Sequence, residues 1–269
     1  MMPPHGRASG RNQEGSFAMK RLLMTVPVGV WLVACGGFDP DLGGDGVASR
    51  MERDFGGPDA LLDFFERNDD EAIARALAAY DVEFRSNALI SDCPQYFPTS
   101  DRNVWHYFNG EYYFIEGSGR PHRAYAYLPP IKSEPRSDSC QLSVGQWGDQ
   151  ENPNNDYDGG HMIGSQLGGW GKRANLIPQD ANFNRGNWVA LENKMAKCSV
   201  LPNGRLRYYI GANYQNASNL VPNNLTMQIT NQVTGANVSL SFSNTDGGGS
   251  NGPAEKDRGV AFLTSQGCN

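Results

Sequence analysis

The chain has 269 residues, of which 39% are hydrophobic and 19% are charged. This length supports one sizeable core or two small ones, and the 32 glycines and 16 prolines indicate a loop-rich globular protein. The composition excludes a coiled coil, a polytopic membrane protein and a chain that is disordered throughout. The formal net charge of −6 argues against a uniformly basic nucleic-acid-binding protein.

The charge is unevenly distributed along the chain. Residues 36–83 contain thirteen acidic and four basic side chains, whereas residues 172–207 contain seven basic and two acidic ones. A locally basic segment in an acidic protein is compatible with a polyanionic substrate.

The N-terminal region has the pattern of an export signal. The basic start Met19-Lys20-Arg21 precedes an apolar run over residues 22–34, which ends in Leu32-Val33-Ala34-Cys35. This run is too short to span a bilayer but suits a signal peptide. Its ending resembles the lipobox of bacterial lipoproteins, which implies cleavage before Cys35 and acylation of that residue. The alternative is a buried N-terminal strand with a chance cysteine.

We therefore expect residues 19–35 to be a lipoprotein signal peptide and residues 1–18 to be a spurious or untranslated extension. The mature protein is then exported and anchored by lipid in the bacterial cell envelope, at the outer membrane, or else secreted. Its membrane contact would be the lipidated Cys35.

Four cysteines remain after Cys35, namely Cys93, Cys140, Cys198 and Cys268. An even number in an exported chain predicts two disulfides. Four cysteines allow three pairings, and the sequence does not choose among them. A zinc site is the weaker alternative, because no two of these cysteines form a CxxC pair.

The first third of the chain predicts a helical segment in front of a β-hairpin. Residues 36–57 are rich in Gly and Asp and predict an acidic tether, and residues 61–80 have the spacing of two short amphipathic helices. Alternating apolar residues at 111–115 and 123–128 flank Gly117-Ser118-Gly119-Arg120, which is typical of a hairpin.

The second half contains one clear helix and three strands. Helical spacing predicts a helix over residues 182–197, and strands are expected at 206–214, 225–230 and 238–242. Residues 247–269 predict a flexible tail that is pinned at Cys268.

The motifs that carry chemistry lie between the predicted hairpin and the later strands, and the last of them fall on the predicted helix. They are Asp158-Gly159-Gly160-His161, then Asn175-Leu176-Ile177-Pro178-Gln179, then Asn184-Arg185-Gly186-Asn187-Trp188, and then Glu192. This series resembles the DNA/RNA non-specific endonucleases of the ββα-metal (His-Me finger) superfamily, in the Gly-Gly-His variant of bacterial extracellular nucleases and nuclease toxins. The resemblance is strong over about 158–195 and extends over about 105–230.

The resemblance implies an α+β fold, in which a ββα-metal nuclease domain at residues 88–246 follows the helical segment at 36–87. Antiparallel strands would surround a catalytic hairpin that bears His161, and this hairpin would pack on the helix that starts at Asn184. The function implied is Mg²⁺-dependent hydrolysis of phosphodiester bonds in DNA, and in RNA as a further substrate, with little sequence specificity. Mn²⁺ is expected to substitute for Mg²⁺.

The residue types suit this reaction. His161 can activate water as a general base, because the unperturbed imidazole titrates near neutral pH. Asn184 can supply a neutral oxygen ligand to Mg²⁺, which leaves the charge of the metal for the substrate phosphate. On a single helix Glu192 would lie about 12 Å from Asn184 along the axis, so we expect it to hold a water of the metal rather than the metal itself.

Four further residues complete the predicted site. Asp158 would fix the backbone or imidazole of His161, and Asn175 would orient His161 or the start of the helix. Arg173 and Arg185 are candidate contacts to substrate phosphate. Three residues of the predicted site also have a purely structural alternative. Asn184 would be an ordinary helix cap, Asp158 a turn former and Glu192 a solvated side chain.

One position departs from the family pattern. Gly159 stands where sugar-non-specific members have an arginine, so any contact that this arginine makes to phosphate must come from elsewhere or be missing. The departure bears on rate and substrate range rather than on the class of reaction.

Two other functions are compatible with the sequence. One is a catalytically silent nucleic-acid-binding module, which is disfavoured because the histidine, both asparagines and the glutamate are all present. The other is a secreted antibacterial nuclease toxin, which would need an immunity protein as partner. Oligomeric state and the preference for DNA or RNA are left open by the sequence.

Overall fold

The computed structural model describes residues 46–86, 93–129 and 135–268. The predicted signal peptide, Cys35 and the first part of the predicted tether lie outside these ranges. Among the described helices, none has the length and apolar character needed to cross a membrane.

A seven-stranded sheet forms the centre of the described structure. Its strands are β1 (Glu83–Ser86), β2 (Val104–Phe108), β3 (Glu111–Ile115), β4 (Pro121–Leu128), β7 (Leu206–Asn213), β8 (Asn224–Asn231) and β9 (Asn237–Ser243). They lie in the order β1-β2-β3-β4-β7-β8-β9, and all neighbours are antiparallel except the parallel pair β1 and β2. The predicted hairpin and the three predicted later strands are all present.

The sheet carries a hydrophobic core on each face, because side chains alternate along a strand. In β3, Tyr112 and Phe114 belong to one core, while Tyr113 and Ile115 belong to the other. The first core is covered by α1 (Val47–Phe55), α2 (Pro58–Arg67) and α3 (Asp70–Leu77). The second core is shared with the elements that carry the catalytic motifs.

Helices α2 and α3 confirm the two predicted amphipathic helices, but the prediction of a tether up to residue 57 is wrong from Val47 onwards. Helix α1 packs on the sheet through Met51, and its Glu52 is nearly buried. Glu52 Oε1 accepts hydrogen bonds from Arg123 Nε at 2.8 Å and from Tyr125 Oη at 2.9 Å. The acidic composition suggested a solvated segment. In the structure, however, Glu52 is buried and its charge is neutralised by Arg123 of the sheet, so the segment packs as a helix.

A second, two-stranded sheet lies beside the main one. It is the antiparallel hairpin of β5 (Tyr157–His161) and β6 (Leu176–Asp180). The chain continues from β6 into α5 (Ala181–Phe183), a π-turn (Asn184–Trp188) and α6 (Val189–Ser199). We call residues 181–199 the site helix. Hairpin and site helix together give the predicted ββα arrangement within an α+β fold.

Two disulfides are present, as predicted, and the structure selects one of the three possible pairings. Cys93 is bonded to Cys140, and Cys198 is bonded to Cys268. The first bond attaches residue 93 to α4 (Asp138–Glu151), and the second attaches the end of the site helix to the C-terminal segment.

The prediction of a flexible tail is wrong for most of the C-terminal segment, which forms α7 (Gly252–Ser265). A Cβ added at Gly259 would lie 2.6 Å from Leu191 of the site helix, so the two helices pack closely there. Glu255 accepts a hydrogen bond from the backbone N–H of Ser241, and Arg258 donates one to the carbonyl of Ser239. Helix α7 therefore protects the edge strand β9 as well as bracing the site helix.

Candidate active site

The β5–β6 hairpin places His161 at the end of β5, directly opposite Leu176. Two glycines precede the histidine because neighbouring elements approach the strand closely. A Cβ added at Gly160 would lie 2.6 Å from the Cβ of Gln179 on β6. The hairpin is therefore fixed by close packing as well as by strand pairing.

Helix α4, which the sequence did not predict, packs directly on β5. A Cβ added at Gly159 would lie 2.6 Å from Gln141 Cα and closer still to the Gln141 carbonyl oxygen. A Cβ at Gly145 of α4 would in turn lie 2.6 Å from the carbonyl oxygen of Tyr157. No side chain fits at position 159 in this packing, so the helix itself accounts for the missing family arginine.

The imidazole of His161 is nearly buried, with 7% of the residue exposed. Its Nδ1 lies 3.4 Å from Nε2 of Gln141, which also donates to the carbonyl of Gly159. Nε2 of His161 is buried and has no hydrogen-bond partner among the described residues. Burial, with a smaller contribution from the charge of Arg136, lowers the pKa of His161 to about 4, so the ring is neutral at neutral pH.

Asn175 is fully buried and holds the chain just beyond His161. Its Oδ1 accepts a hydrogen bond from Ile163 N at 2.8 Å, and its Nδ2 donates to the carbonyls of Ile163 and Trp170. These contacts fix the backbone that follows His161. The predicted direct contact to His161 or to the start of the helix is absent from the hydrogen bonds of this buried amide.

Asn184 opens the π-turn of the site helix, and π-turns are frequent at functional sites. Its Nδ2 donates to Asp158 Oδ2 at 2.9 Å, so its Oδ1 is the end that remains available to a cation. Asp158 also binds Arg185, through Nε at 2.9 Å and Nη2 at 2.5 Å. The prediction that Asp158 fixes His161 is wrong, because both carboxylate oxygens face the site helix.

Glu192 lies on α6 and is 5% exposed. Trp188 Nε1 donates to its Oε1 at 3.1 Å, and the backbone N–H of Gly164 also binds the carboxylate. Burial raises the pKa of Glu192 to about 8 despite these donors. A Cβ at Gly164 would lie 2.7 Å from the carboxyl carbon, so this carboxylate packs against the loop that follows β5.

Arg173 cannot contact substrate as predicted, because it is fully buried. Its guanidinium donates to the carbonyl of Leu176 and, from Nη2 at 3.2 Å, to that of Gln95. Its Cζ also lies 5.7 Å from the ring centre of Trp147. The sequence gave no signal of this burial, which arises because the chain at Gln95 and Trp147 of α4 lie against the guanidinium.

A cleft of about 560 Å³ runs along α4, β5 and the start of the site helix. Asp158, Gly159, Asn184 and Arg185 line it, together with Gln141 and Arg136 from the α4 region. The sequence analysis assigned no role to Gln141 or Arg136. Arg136 lies two residues before α4 and Gln141 lies within it, and the weak hydrophobic periodicity of this helix gave no signal for either residue.

The residues present suit a metal that takes few protein ligands. No group of three or more His, Cys, Asp or Glu side chains in the described ranges could hold a metal ion. Asp138, Asp149, Asp156 and Asp158 line the cleft. A neutral Asn184 oxygen beside these carboxylates fits Mg²⁺, which keeps several waters and binds substrate phosphate as well. Zinc would need three or four Cys, His or carboxylate ligands, and the described residues contain no such group.

Residues 102–233 match the family described as DNA/RNA non-specific endonuclease. No curated protein matches the chain.

Solved structures provide distant matches. NucA from Streptococcus agalactiae with magnesium bound is 18% identical, with 53% of this chain and 82% of NucA covered and a TM-score of 0.36. The metal-free NucA structure is 16% identical, with 53% and 83% covered and a TM-score of 0.33. A chain of the EndoG/EndoGI complex is 15% identical, with 52% and 74% covered and a TM-score of 0.36.

Proposed function

We propose that this chain, whose residues 102–233 match the DNA/RNA non-specific endonuclease family, is a Mg²⁺-dependent endonuclease with His161 as the general base and Asn184 as the metal ligand. Its substrates are DNA and, as a further substrate, RNA, cut with little sequence specificity.

The observation that carries this proposal is a metal-ligand candidate, Asn184, in the wall of the cleft, with His161 directly behind the cleft residue Gln141. His161 ends β5 beside Gln141, and Asn184 starts the adjacent π-turn with its amide oriented by Asp158. Gln141, Asn184 and Asp158 all line the same cleft. A base and an oxygen ligand on rigid neighbouring elements provide the positioning that phosphodiester hydrolysis needs.

His161 performs the proton transfer. The neutral imidazole takes a proton from the attacking water as the new oxygen–phosphorus bond forms. The bond from phosphorus to the 3′ oxygen breaks, and the leaving oxygen takes a proton from solvent. The products carry a 5′ phosphate and a 3′ hydroxyl. The lowered pKa of His161 keeps the base unprotonated over the whole physiological pH range.

Asn184 would hold the metal ion through Oδ1, and a bound Mg²⁺ supplies positive charge to the phosphate and to the leaving oxygen. Asp158 orients the Asn184 amide and binds Arg185, whose exposed guanidinium lies at the edge of the cleft. We assign Arg185 to contact with substrate phosphate. Glu192 supports the site from the buried side of the helix through its contacts with Trp188 and Gly164.

A plasmid-nicking assay tests the proposal. The protein is expected to nick supercoiled plasmid with Mg²⁺ or Mn²⁺ and to lose this activity in EDTA. Retained DNA binding without nicking under all divalent ions would instead identify a catalytically silent binding module. Nicking that is unaffected by EDTA would refute the metal requirement.

Three variants separate the proposed roles. His161→Ala is expected to lose about 10² to 10⁴ in rate while still binding Mn²⁺ by calorimetry. Asn184→Ala is expected to lose both metal affinity and activity, because no other protein ligand is proposed. Glu192→Gln should lose about 10-fold to 100-fold, partly restored by excess Mg²⁺. Arg75→Gln, on the exposed surface of α3, serves as the control.

We also propose that the mature protein begins at an acylated Cys35 and is held in the cell envelope. The support for this is the Leu32-Val33-Ala34-Cys35 sequence after a basic and apolar leader. Mass spectrometry of the membrane fraction is expected to find lipid on Cys35, and Cys35→Ser is expected to release the protein. A mature protein that starts upstream of Met19 would refute the anchor.

A further inference from the structure

Hydrolysis in this cleft needs a cation beside the scissile phosphate. The family motif supplies an arginine for this purpose, but this chain has Gly159 at that position. Charge builds up on the non-bridging oxygens of the phosphate during hydrolysis, and positioned cations stabilise it. Position 159 cannot provide one, because α4 occupies the space of any side chain there. Helix α4, which fills the space at position 159, also brings the residue just before it, Arg136, to the cleft.

Arg136 lies two residues before α4 and lines the cleft together with Asn184. Its backbone is held in place, since a Cβ added at Gly171 would lie 3.0 Å from Arg136 Cα and 3.0 Å from Ser137 N. Its Nε donates to Ser165 Oγ at 2.8 Å. The arginine is exposed, yet both its backbone and the base of its guanidinium are fixed.

The outer edge of this guanidinium remains available. In the part of the chain that the structure describes, no hydrogen bond or ion pair engages Nη1 or Nη2 of Arg136. The guanidinium therefore presents a free fork, which is the geometry that binds two phosphate oxygens at once. Ser165 supports the fork from behind without neutralising its charge.

The charge of Arg136 also reaches the catalytic groups. It contributes to the lowered pKa of His161 after the larger effect of burial, and it opposes the rise in the pKa of Glu192. These two side chains come from the hairpin and from the site helix. The position of Arg136 itself follows from its place in the cleft wall and its hydrogen bond to Ser165.

The other two arginines of the region are less suited to the scissile phosphate, and the contact assigned to Arg185 is with a neighbouring phosphate of the substrate. Arg185 is bound by both oxygens of Asp158, so a phosphate would have to compete with a carboxylate for it. Arg173 is fully buried and donates to backbone carbonyls. Among these three, Arg136 alone has a free fork and no acidic partner within the described residues.

We propose that Arg136 binds the non-bridging oxygens of the scissile phosphate and stabilises the transition state, in place of the arginine that Gly159 excludes. This role rests on the proposed nuclease function. It makes Arg136 a catalytic residue, with Ser165 as the residue that positions it.

Steady-state kinetics on a short DNA duplex test this assignment, with wild-type protein measured first. Arg136→Gln is expected to lower kcat by about 100-fold or more, with KM changed much less, as for loss of one transition-state donor. Arg136→Lys should recover only part of kcat, because an ammonium cannot bind two oxygens as a fork. Millimolar guanidinium ion should raise the rate of an Arg136→Ala variant and leave wild type unchanged.

Controls separate the possible outcomes. Arg75→Gln removes an exposed arginine from α3 and should behave as wild type, and thermal unfolding should show that all Arg136 variants remain folded. An active wild type with Arg136→Gln within about threefold of its kcat, or with a loss confined to KM, would overturn the role of Arg136 and leave the nuclease function standing. A wild type that cleaves nothing with any divalent ion would instead refute the proposed function itself.

Discussion

Nδ2 of Asn184 donates a hydrogen bond to Oδ2 of Asp158 at 2.9 Å, and this contact fixes the proposed metal ligand. An asparagine amide can rotate by half a turn and present either its oxygen or its nitrogen. The carboxylate removes this ambiguity, because it can only accept. The residue that the motif places three positions before the histidine thus acts on the site helix and not on the histidine.

Loss of this contact should weaken metal binding. Asp158→Ala is expected to lower Mn²⁺ affinity by about 10-fold to 100-fold, because supporting residues of metal ligands have effects of this size. Calorimetry without substrate measures the Mn²⁺ affinity.

The control is Arg185→Gln, which keeps the Asp158–Asn184 hydrogen bond. This variant should leave metal affinity unchanged and alter only the salt dependence of DNA binding. Wild-type metal affinity in Asp158→Ala would contradict the role of this hydrogen bond.

The closure of position 159 can be tested by adding one methyl group. Gly159→Ala is expected to destabilise the protein by about 1 to 3 kcal/mol, because its Cβ would overlap the backbone of Gln141. Urea unfolding measures the loss. Gly186→Ala is the matched control, since its Cβ would meet no atom within 4 Å. Equal stability of the two variants would show that α4 does not close this position.

Buried histidines should reduce stability in acid. Burial lowers the pKa of both His106 and His161 to about 4, against an ordinary value of 6.5. Between these values the unfolded chain binds more protons than the folded one, so stability falls as the pH falls from about 6.5 to 4. The slope is about 1.4 kcal/mol per pH unit for each histidine.

Urea unfolding in EDTA, repeated across this range, measures the slope. His106→Gln should reduce the slope of stability against pH by the contribution of one histidine, about 1.4 kcal/mol per pH unit. The pKa of His106 also responds to Arg85, Asp101 and Glu83, so low salt is required. A slope that does not change in His106→Gln would contradict the prediction.

Glu192 should act in the opposite direction, over a range that overlaps that of the histidines and extends to higher pH. Its pKa is raised to about 8 in the folded protein from an ordinary 4.5, so the folded state binds the extra proton between these values. Its contribution to stability is therefore complete below about 4.5 and is lost as the pH rises through 8. Glu192→Gln, which keeps the shape without the titration, should flatten the decline between pH 6.5 and 8 in metal-free buffer.

The disulfide between Cys198 and Cys268 should stabilise the protein through α7. Replacing both cysteines by serine is expected to cost about 2 to 4 kcal/mol, as is typical for removal of a disulfide that closes a long loop. Asn187 of the π-turn donates to the carbonyl of Gly247 in the turn before α7, so metal affinity should fall as well. Loss of the other bond, Cys93–Cys140, should instead affect the packing of α4. An unchanged melting temperature in the first double variant would refute the bracing role.

The local features of this protein were predictable from its sequence. Alternating apolar residues specified the β3–β4 hairpin, and helical spacing specified α2, α3 and the site helix. The motif series around His161 and Asn184 predicted a hairpin followed by a helix, and the even number of cysteines predicted two disulfides. These features depend on residues that are close together in the chain.

Features that depend on distant segments were decided only by the tertiary structure. Helix α4 is poor in hydrophobic residues and packs through glycines, so its sequence gave no periodic signal. The same packing explains why position 159 is glycine and brings Arg136 to the cleft. Likewise, Arg173 differs from an exposed arginine only because the chain near Gln95 covers it.

The sequence by itself determined the chemistry of the motif, the strands and helices with clear periodicity, and the number of disulfides. The tertiary structure decided the disulfide pairing, the partner of Asp158, the burial of Arg173 and the position of Arg136. The physical reason is that periodicity and residue type are local properties. Burial, amide orientation and the availability of a charge depend on which surfaces meet when the chain folds.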